Sequence, residues 1–341
     1  GKTMFALYLN AVPETGIFKH KNLRIGGSSE LYQKYDTRFG DLSAILIDNL
    51  PFYAEMKNIP NKEISLMSDW NVKMNAIINA ARNEDVGSLT GVPSWMMVVL
   101  QKLLTETGQH HLDDLWPNIE VFFHGGISFK PYAENYRLIS QKQLNYFELY
   151  NASEGFFGIQ DQLNSKDLLL LLDNGIFYEF IPMEEFGNEN QRFLTIAEVE
   201  VDKNYAMVIS TNGGLWRYII GDTVRFTSTN PHRIVVSGRT KHHINAFGEE
   251  LMIENAEEAL KRTCEKTNAI VSEYSAGPVF MQGKEKGAHE WMIEFEKEPE
   301  NFDLFASILD QSLQDVNSDY EAKRYNNMTL NPPIIHKARK N

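Results

Sequence analysis

The sequence is poor in features that mark several large classes of protein, beginning with a single cysteine, Cys264, among 341 residues. One thiol excludes a disulfide framework and any metal site built on cysteine, and it agrees with a reducing compartment. Cys264 falls in a helical pattern over 257–266 and reads as a small packing residue. No apolar run approaches the roughly 20 residues of a membrane-spanning helix. The opening Gly1-Lys2-Thr3-Met4 has none of the basic, apolar and small-residue order of a signal peptide. Positive charge is scarce: 33 Lys and Arg stand against 46 Asp and Glu, a net −13. A field of that sign repels nucleic acid and anionic lipid, so neither is an expected partner, and a bound nucleotide must be held by local groups. These absences predict a cytoplasmic protein. Internal repeats and low-complexity segments are also missing.

What is present suffices for a substantial fold. At 43% hydrophobic residues the chain can bury roughly 70–75% of its unfolded surface, as one large core and a smaller second one. Residues 5–9 read as helix or strand. From 42 to 104 apolar residues recur at helical spacing, as in Trp70, Met74, Ile77 and Ala80 and again in Trp95, Val99, Leu100 and Leu103, which predicts a helix-rich stretch. Runs of β-formers follow at 119–123, ending in Gly125-Gly126, and at 145–150. Residues 168–172 and 176–180, separated by Asn174-Gly175, predict two strands joined as a hairpin. Further β character at 205–210 and 223–226 flanks a Gly213-Gly214 turn. After Glu249 the pattern predicts a helix near 253–266, strands at 269–274 and 290–296, and a helix at 302–316. The expected fold class is α/β, with a large domain of mixed β-sheets and flanking helices over 1–238. Residues 239–341 are expected to form a hinge and a small C-terminal α+β domain.

Groups able to carry chemistry fall at strand ends. Tyr150-Asn151-Ala152-Ser153-Glu154-Gly155 supplies a ring, small residues that admit a ligand to the backbone, and a carboxylate. Such a ring stacks on or edges an adenine, and Glu154 suits Mg2+ shared with phosphate oxygens. The same string also reads as a strand-to-helix turn capped by Ser153 or Asn151. Asp222, after Gly221 at the end of an apolar strand, can accept both hydroxyls of a ribose, while a tight turn is the competing reading. Arg217 either meets a phosphate or pairs with an acidic neighbour.

Ser237-Gly238-Arg239-Thr240-Lys241-His242-His243 lies at the expected boundary. Arg239 offers a rigid fork to phosphate or ribose oxygens and Lys241 a flexible charge, beside the plain reading as a linker. Adjacent histidines on a strand point to opposite faces, and no further Cys or His stands nearby, so His242 and His243 do not read as a metal site. His124-Gly125-Gly126 ends a strand where glycines would let a ligand lie against backbone and His124 would contact a carboxylate or donate a proton; a tight turn explains the same residues. Gly26-Gly27-Ser28-Ser29 lacks the Lys-Ser/Thr pair of a Walker loop.

In order and interval these strings resemble the GH-three family, the auxin-responsive promoter family of acyl acid amido synthetases, as a bacterial-type member within the adenylate-forming superfamily. The resemblance is carried by Leu115-Trp116-Pro117-Asn118, by Tyr150 through Ile159, by Phe177-Tyr178-Glu179-Phe180-Ile181-Pro182 and by Gly214 through Asp222, and it covers nearly the whole chain. It implies a ligase that uses ATP and Mg2+ to turn a small carboxylic acid into an acyl-adenylate, then transfers the acyl group to an amine, commonly an amino acid. Developing phosphoryl charge needs a cation and fixed donors, which suits these residue types. The resemblance places Tyr150 and Ala152 beside the adenine, with Ser153 and Gly125 also binding nucleotide. Glu154 serves Mg2+ and Asp222 the ribose. Arg239 and Lys241 match the superfamily hinge, about which the small domain turns between half-reactions. By position, Val92, Ser94, Trp95 and His124 would line the acyl pocket.

The chain also departs from the family pattern. The early Ser/Thr/Gly-rich phosphate loop and the C-terminal tail with a catalytic lysine are not found in these residues, so a polypeptide limited to them is expected to bind nucleotide poorly and turn over slowly. Gly238-Arg239-Thr240-Lys241 and Ala246-Phe247-Gly248-Glu249 look more like general acyl-activating enzymes than plant members, so plant acids such as auxin or jasmonate are not expected to carry over. An acyl-CoA ligase and a catalytically inactive nucleotide-binding protein stay open as alternatives. Nothing in the sequence addresses the oligomeric state or names the acid and the amine.

Overall fold

Helical stripes and alternating strands sort into the elements as follows, in a computed structural model that describes residues 2–26, 31–240, 243–281, 285–325 and 329–338. Helix α1 (Lys2–Ala11) leads to strand β1 (Lys21–Arg24) and a hairpin of β2 (Leu31–Lys34) and β3 (Thr37–Gly40). Helices α2 (Leu42–Asp48) and α3 (Phe52–Glu55), strand β4 (Asn58–Ile59) and helices α4 (Lys62–Ser65) and α5 (Trp70–Ala81) follow. In α5 the side chain of Asp69 caps Val72, and Met74, Ile77, Ile78 and Ala81 form one buried stripe. Strand β5 (Val86–Gly91) comes next, within the stretch expected to be helical; its four leading residues, Val86-Gly87-Ser88-Leu89, are all buried and show neither alternation nor a run of β-formers between the two helices. Helix α6 (Pro93–Thr107) begins with proline and stops at left-handed Gly108.

After α7 (Leu112–Leu115), β6 (Val121–Gly125) and α8 (Ala133–Leu138) the chain turns to strands: β7 (Asn145–Ala152), β8 (Gly155–Ile159), β9 (Leu168–Leu170), β10 (Ile176–Pro182) and β11 (Leu194–Thr195). Strands β12 (Asn204–Thr211), β13 (Tyr218–Thr229) and β14 (His232–Arg239) complete that series. The remainder is β15 (His243–Ile244), β16 (Leu251–Met252), α9 (Ile253–Thr267), β17 (Ile270–Val279), β18 (Ala288–Lys297), α10 (Phe302–Val316), α11 (Ser318–Arg324) and β19 (Ile334–Lys337).

These elements divide into two compact units. The first, residues 1–91, 116–126 and 142–241, holds a twelve-stranded mixed sheet of order β11-β10-β12-β13-β14-β9-β8-β7-β6-β5-β1-β4. Strands β4, β1, β5, β6 and β7 are parallel, and from β7 onward the pairing is antiparallel. Two aromatic cores serve the two halves. Tyr8 from α1 meets Phe123 and Phe147 edge-on, with centroids 5.3 and 5.4 Å apart. Phe180 packs against Phe226 at 5.0 Å in the antiparallel half. The hairpin expected over 168–180 does not form. Strand β9 pairs with β8 and β14, while β10 pairs with β11 and β12. A turn signal reverses the chain, but which neighbour a strand takes depends on distant residues.

The second unit, residues 92–115, 127–141 and 242–341, contains a three-stranded sheet, β17-β18-β19, and the packed pair α9 and α10. In β18 the residues Trp291, Ile293 and Phe295 alternate into its core. The two earlier segments join this unit through hydrogen bonds: Ser94 Oγ donates to Phe247 O at 3.0 Å and Tyr132 Oη to Ala246 O at 2.6 Å. Tyr136 Oη in turn donates to Pro93 O at 2.8 Å. No helix among the described residues is long and apolar enough to cross a membrane.

Candidate functional site

Three of the residues singled out from sequence meet in the first unit. Tyr150, near the end of β7, is 8% exposed and donates its hydroxyl to Asp222 Oδ2 at 2.6 Å. Burial, then the negative charge of Asp222, raises the phenol pKa far above its usual value, which keeps it a donor. Asp222 sits within β13 rather than in a turn. The register steps from Ala206 opposite Thr223 to Val208 opposite Ile219, so extra β13 residues bulge out around it. Gly221 adopts φ +91°, where a side chain would be strained. Across the next strand pair Arg239 lies opposite Asp222, and its Nε is 2.8 Å from Asp222 Oδ1. A charged acceptor, 7% exposed, is thus oriented from both sides.

Ala152 ends β7 and packs partly against the aromatic core, and Ser153 and Glu154 form the tip of the hairpin to β8. The segment is therefore a strand-to-strand turn; the helix start that caps at Asn151 or Ser153 would require is not there. Glu154 Oε1 accepts the Tyr218 hydroxyl at 3.3 Å, and Glu154's charge raises the Tyr218 pKa. Tyr218 lies within the stretch from Gly214 to Asp222, but nothing in that stretch of sequence signals that it reaches the hairpin tip. Arg217 takes the acidic-neighbour alternative. Its guanidinium grips Glu179 through Nε at 2.9 Å and Nη2 at 2.7 Å and lies 4.0 Å from the centre of the Phe193 ring.

His124 and Gly125 close β6 beside β7. A Cβ on Gly125 would stand 2.3 Å from the Leu149 carbonyl oxygen, so that strand end admits no side chain. His124 is 3% exposed, and burial pushes its pKa down to about 3. The imidazole is neutral near pH 7, so any proton it donates comes from the neutral ring and not from an imidazolium.

Val92, Ser94 and Trp95 belong to the second unit. Val92 is the N-cap of α6, the Ser94 hydroxyl is committed to Phe247, and the Lys323 ammonium lies 4.2 Å from the centre of the Trp95 ring. Lys241 and His242 lie outside the described residues. In this unit Glu249 and His289, both side chains fully buried, pair at 2.8 Å. Glu249 also accepts the backbone N–H of Ala246 at 3.2 Å and of Phe247 at 2.7 Å. Glu249 closes the string Ala246-Phe247-Gly248-Glu249, but no spacing connects it to His289.

Models of a single family match the chain in three stretches: the GH3 family N-terminal domain over 5–144, the central domain over 169–239 and the C-terminal domain over 254–341. The chain is 32% identical over 120 residues to the indole-3-acetic acid-amido synthetase GH3.3 of Arabidopsis thaliana, covering 33% of this chain and 20% of that protein. It is also 32% identical over 137 residues to the jasmonoyl--L-amino acid synthetase GH3.5 of Oryza sativa subsp. japonica, covering 34% and 23%. The matched segments thus span about a fifth of these curated relatives' length. Among solved structures, the GH3.15 acyl acid amido synthetase aligns with a TM-score of 0.60 at 14% identity over 98% of this chain and 70% of that one. A 2-hydroxyisobutyryl-CoA ligase aligns with a TM-score of 0.58 at 11% identity over 94% and 63%, so the fold is that of adenylating enzymes. The chain belongs to the GH3 family.

Proposed function

We propose that this chain carries the nucleotide site of an ATP-dependent acyl acid amido synthetase. A carboxylate attacks the α-phosphorus of MgATP, pyrophosphate leaves, and an amine, an amino acid by family resemblance, displaces AMP to form an amide. The observation that carries the reading is the Tyr150–Asp222–Arg239 arrangement within strings typical of the family. A carboxylate has about four lone-pair positions. Tyr150 and Arg239 each engage one oxygen of Asp222, which leaves acceptor capacity for ribose hydroxyls. Glu154 is one carboxylate at a hairpin tip, and among the described residues no cluster of three or more His, Cys, Asp or Glu could hold a metal alone. A single carboxylate completed by phosphate oxygens is a donor set that fits Mg2+, which would neutralise phosphoryl charge there. Small Ala152 and Ser153 leave room at the end of β7 for the nucleotide, Gly125, which gives way to the Leu149 carbonyl, would meet it through its backbone, and neutral His124 offers a hydrogen bond toward the acid. Val92, Ser94 and Trp95 in the acyl pocket, and Lys241 as hinge, belong to the same proposal, as does a cytoplasmic location.

The test is pyrophosphate exchange into ATP across a panel of carboxylic acids, followed by mass analysis of products formed with mixed amino acids or with CoA. Acid-dependent exchange and an amide product are expected. Nucleotide binding without exchange for any acid would overturn the reading, and a thioester with no amide would move it to the acyl-CoA ligases.

A further inference from the structure

In the order of the large sheet β7 and β13 are four places apart, with β8, β9 and β14 between them. At ~4.8 Å per spacing a flat sheet would hold them about 19 Å apart. Yet Tyr150 of β7 donates to Asp222 of β13 at 2.6 Å, and Tyr218 of β13 donates to Glu154, at the tip of the β7–β8 hairpin, at 3.3 Å. The sheet therefore curls until these ends meet, around the core that Tyr150, Phe157, Tyr178 and Ile220 share. The two contacts are reciprocal. Each segment supplies one phenol as donor and one carboxylate as acceptor.

The second contact is held by a strained backbone. Tyr218 opens β13, and the residue before it, Arg217, has φ +44°, a left-handed conformation unusual for a side chain of that size. Such a conformation persists where its surroundings over-determine it, and it gathers at functional sites. Three neighbours do so here. Ser210 Oγ accepts the Arg217 amide at 2.9 Å, Glu179 takes the guanidinium through Nε and Nη2, and the Phe193 ring lies against it at 4.0 Å. Between this anchor and the bulge, Tyr218 and Ile219 stay in register with Ile209 and Val208 of β12. Two residues before Ile220, Tyr218 shares the face that Ile220 turns to the aromatic core. Glu154 has no comparable support. It lies in the two-residue turn Ser153-Glu154 between β7 and β8, and among the described residues Tyr218 is its one hydrogen-bond partner. That bond occupies Oε1 and leaves Oε2. Carboxylates that bind metals are themselves oriented by such hydrogen bonds.

We propose that Tyr218 is a positioning residue for the metal carboxylate: by donating to Glu154 Oε1 it presents Oε2 to the Mg2+ that accompanies ATP, and the gripped, strained Arg217 fixes where Tyr218 stands. This rests on the adenylation reading above, in which Glu154 serves Mg2+ and Asp222 the ribose. The crossed pairs then hold those two carboxylates at a constant separation, so the ribose and the phosphates of one nucleotide meet groups already in place. Tyr218 and Arg217 act through Glu154 without touching the nucleotide.

Calorimetric titration of ATP with Mg2+, and of ATP with EDTA, tests this through affinity and not turnover. The proteins are the wild type, Tyr218→Phe, Arg217→Gly, Glu154→Gln and the double variant of Tyr218→Phe with Glu154→Gln. The wild type should bind the magnesium form more tightly. Tyr218→Phe should weaken that form by about ten- to hundredfold, the usual effect of releasing a metal ligand from its hydrogen-bonding partner, and leave metal-free ATP unchanged. Arg217→Gly, which tolerates the same φ but loses the grip on Glu179, should do likewise to a smaller extent. In the Glu154→Gln background Tyr218→Phe should cost nothing more, because the two side chains act as one unit. An equal loss for both forms of ATP would make Tyr218 a nucleotide contact or a structural tie and overturn the proposal. Additive losses in the double variant, or a Tyr218→Phe protein that binds as the wild type does, overturn it as well. Wild-type binding by Arg217→Gly overturns the share given to Arg217. Failure of the underlying reading looks different. A wild type that binds neither form removes the nucleotide site, and one that binds both alike, or a Glu154→Gln variant that keeps the whole magnesium gain, removes the metal role of Glu154. In each case the proposal falls before Tyr218 is altered.

Discussion

The hydroxyl of Tyr150 donates to Asp222 Oδ2 at 2.6 Å, tying the end of β7 to the bulge of β13. Asp222 also pairs with Arg239, so one buried carboxylate joins the consecutive strands β13 and β14 to the sequence-distant β7. Removing the donor should lower stability and weaken nucleotide binding together, because an acceptor meant for ribose would lose its orientation. For Tyr150→Phe we expect about 1–3 kcal/mol of lost stability in urea denaturation. Calorimetry should show ATP affinity lower by roughly three- to tenfold. A loss of stability with ATP affinity untouched would make the tyrosine a structural tie only.

Gly125→Ala should be harmful for a reason unrelated to helix or strand propensity. The new methyl would stand 2.3 Å from the carbonyl oxygen of Leu149, a backbone atom held in the β6–β7 ladder. The two strands must part, at about 1–3 kcal/mol. Urea unfolding of this variant and of Gly108→Ala, where nothing lies within 4 Å of the added carbon but φ is +70°, separates the clash from the backbone strain. Equal losses would remove the clash as the cause.

The buried pair of Glu249 and His289 should respond steeply to truncation. Glu249→Ala would strand the Ala246 and Phe247 amides and leave His289 without its acceptor, a change of about 3–5 kcal/mol for a broken buried pair. Glu249→Gln keeps an acceptor oxygen and should lose less. Chemical denaturation followed by tryptophan fluorescence reads both, since Trp291 is fully buried in the same unit. Indistinguishable variants would show that the carboxylate charge, and not its hydrogen bonds, holds the loop.

Lys73 gives a stability trend with pH whose direction is fixed by its shift. Burial pushes its pKa down to about 8, with Asp41 opposing. The unfolded chain holds that proton to about pH 10.4, so between the two values the unfolded state binds more protons and this group's contribution rises with pH. Below pH 8 the buried ammonium destabilises the fold, by about 3 kcal/mol from the size of the shift. Lys73→Met should therefore be more stable than wild type at pH 7 by about 1–3 kcal/mol, with the difference fading toward pH 10. Parallel urea titrations at both pH values check this, and a difference independent of pH would refute the assignment to the lysine charge.

Periodicity made the C-terminal helices legible nearly to their ends. The helix expected near 253–266 is α9 (Ile253–Thr267), and the one at 302–316 is α10 (Phe302–Val316), since each exposes one face and buries the other. The strings around Tyr150 and Asp222 were likewise visible because their residue types are locally unusual. Strand β5 was missed because a short buried strand between two helices has no alternation to betray it. Lys73 carried no signal at all. A cation in a helix looks solvated until its surroundings are known.

The sequence by itself determined the mixed α/β class, the family landmarks and their order, and the acidic surface that leaves anion recognition to local groups. These follow from composition and short-range pattern. Only the tertiary structure decided that β9 and β10 part to different neighbours, that Asp222 sits in a bulge between Tyr150 and Arg239, and that Glu249 meets His289. Strand partners and buried charges depend on which distant residues exclude water together, and chain-local propensity does not carry that information.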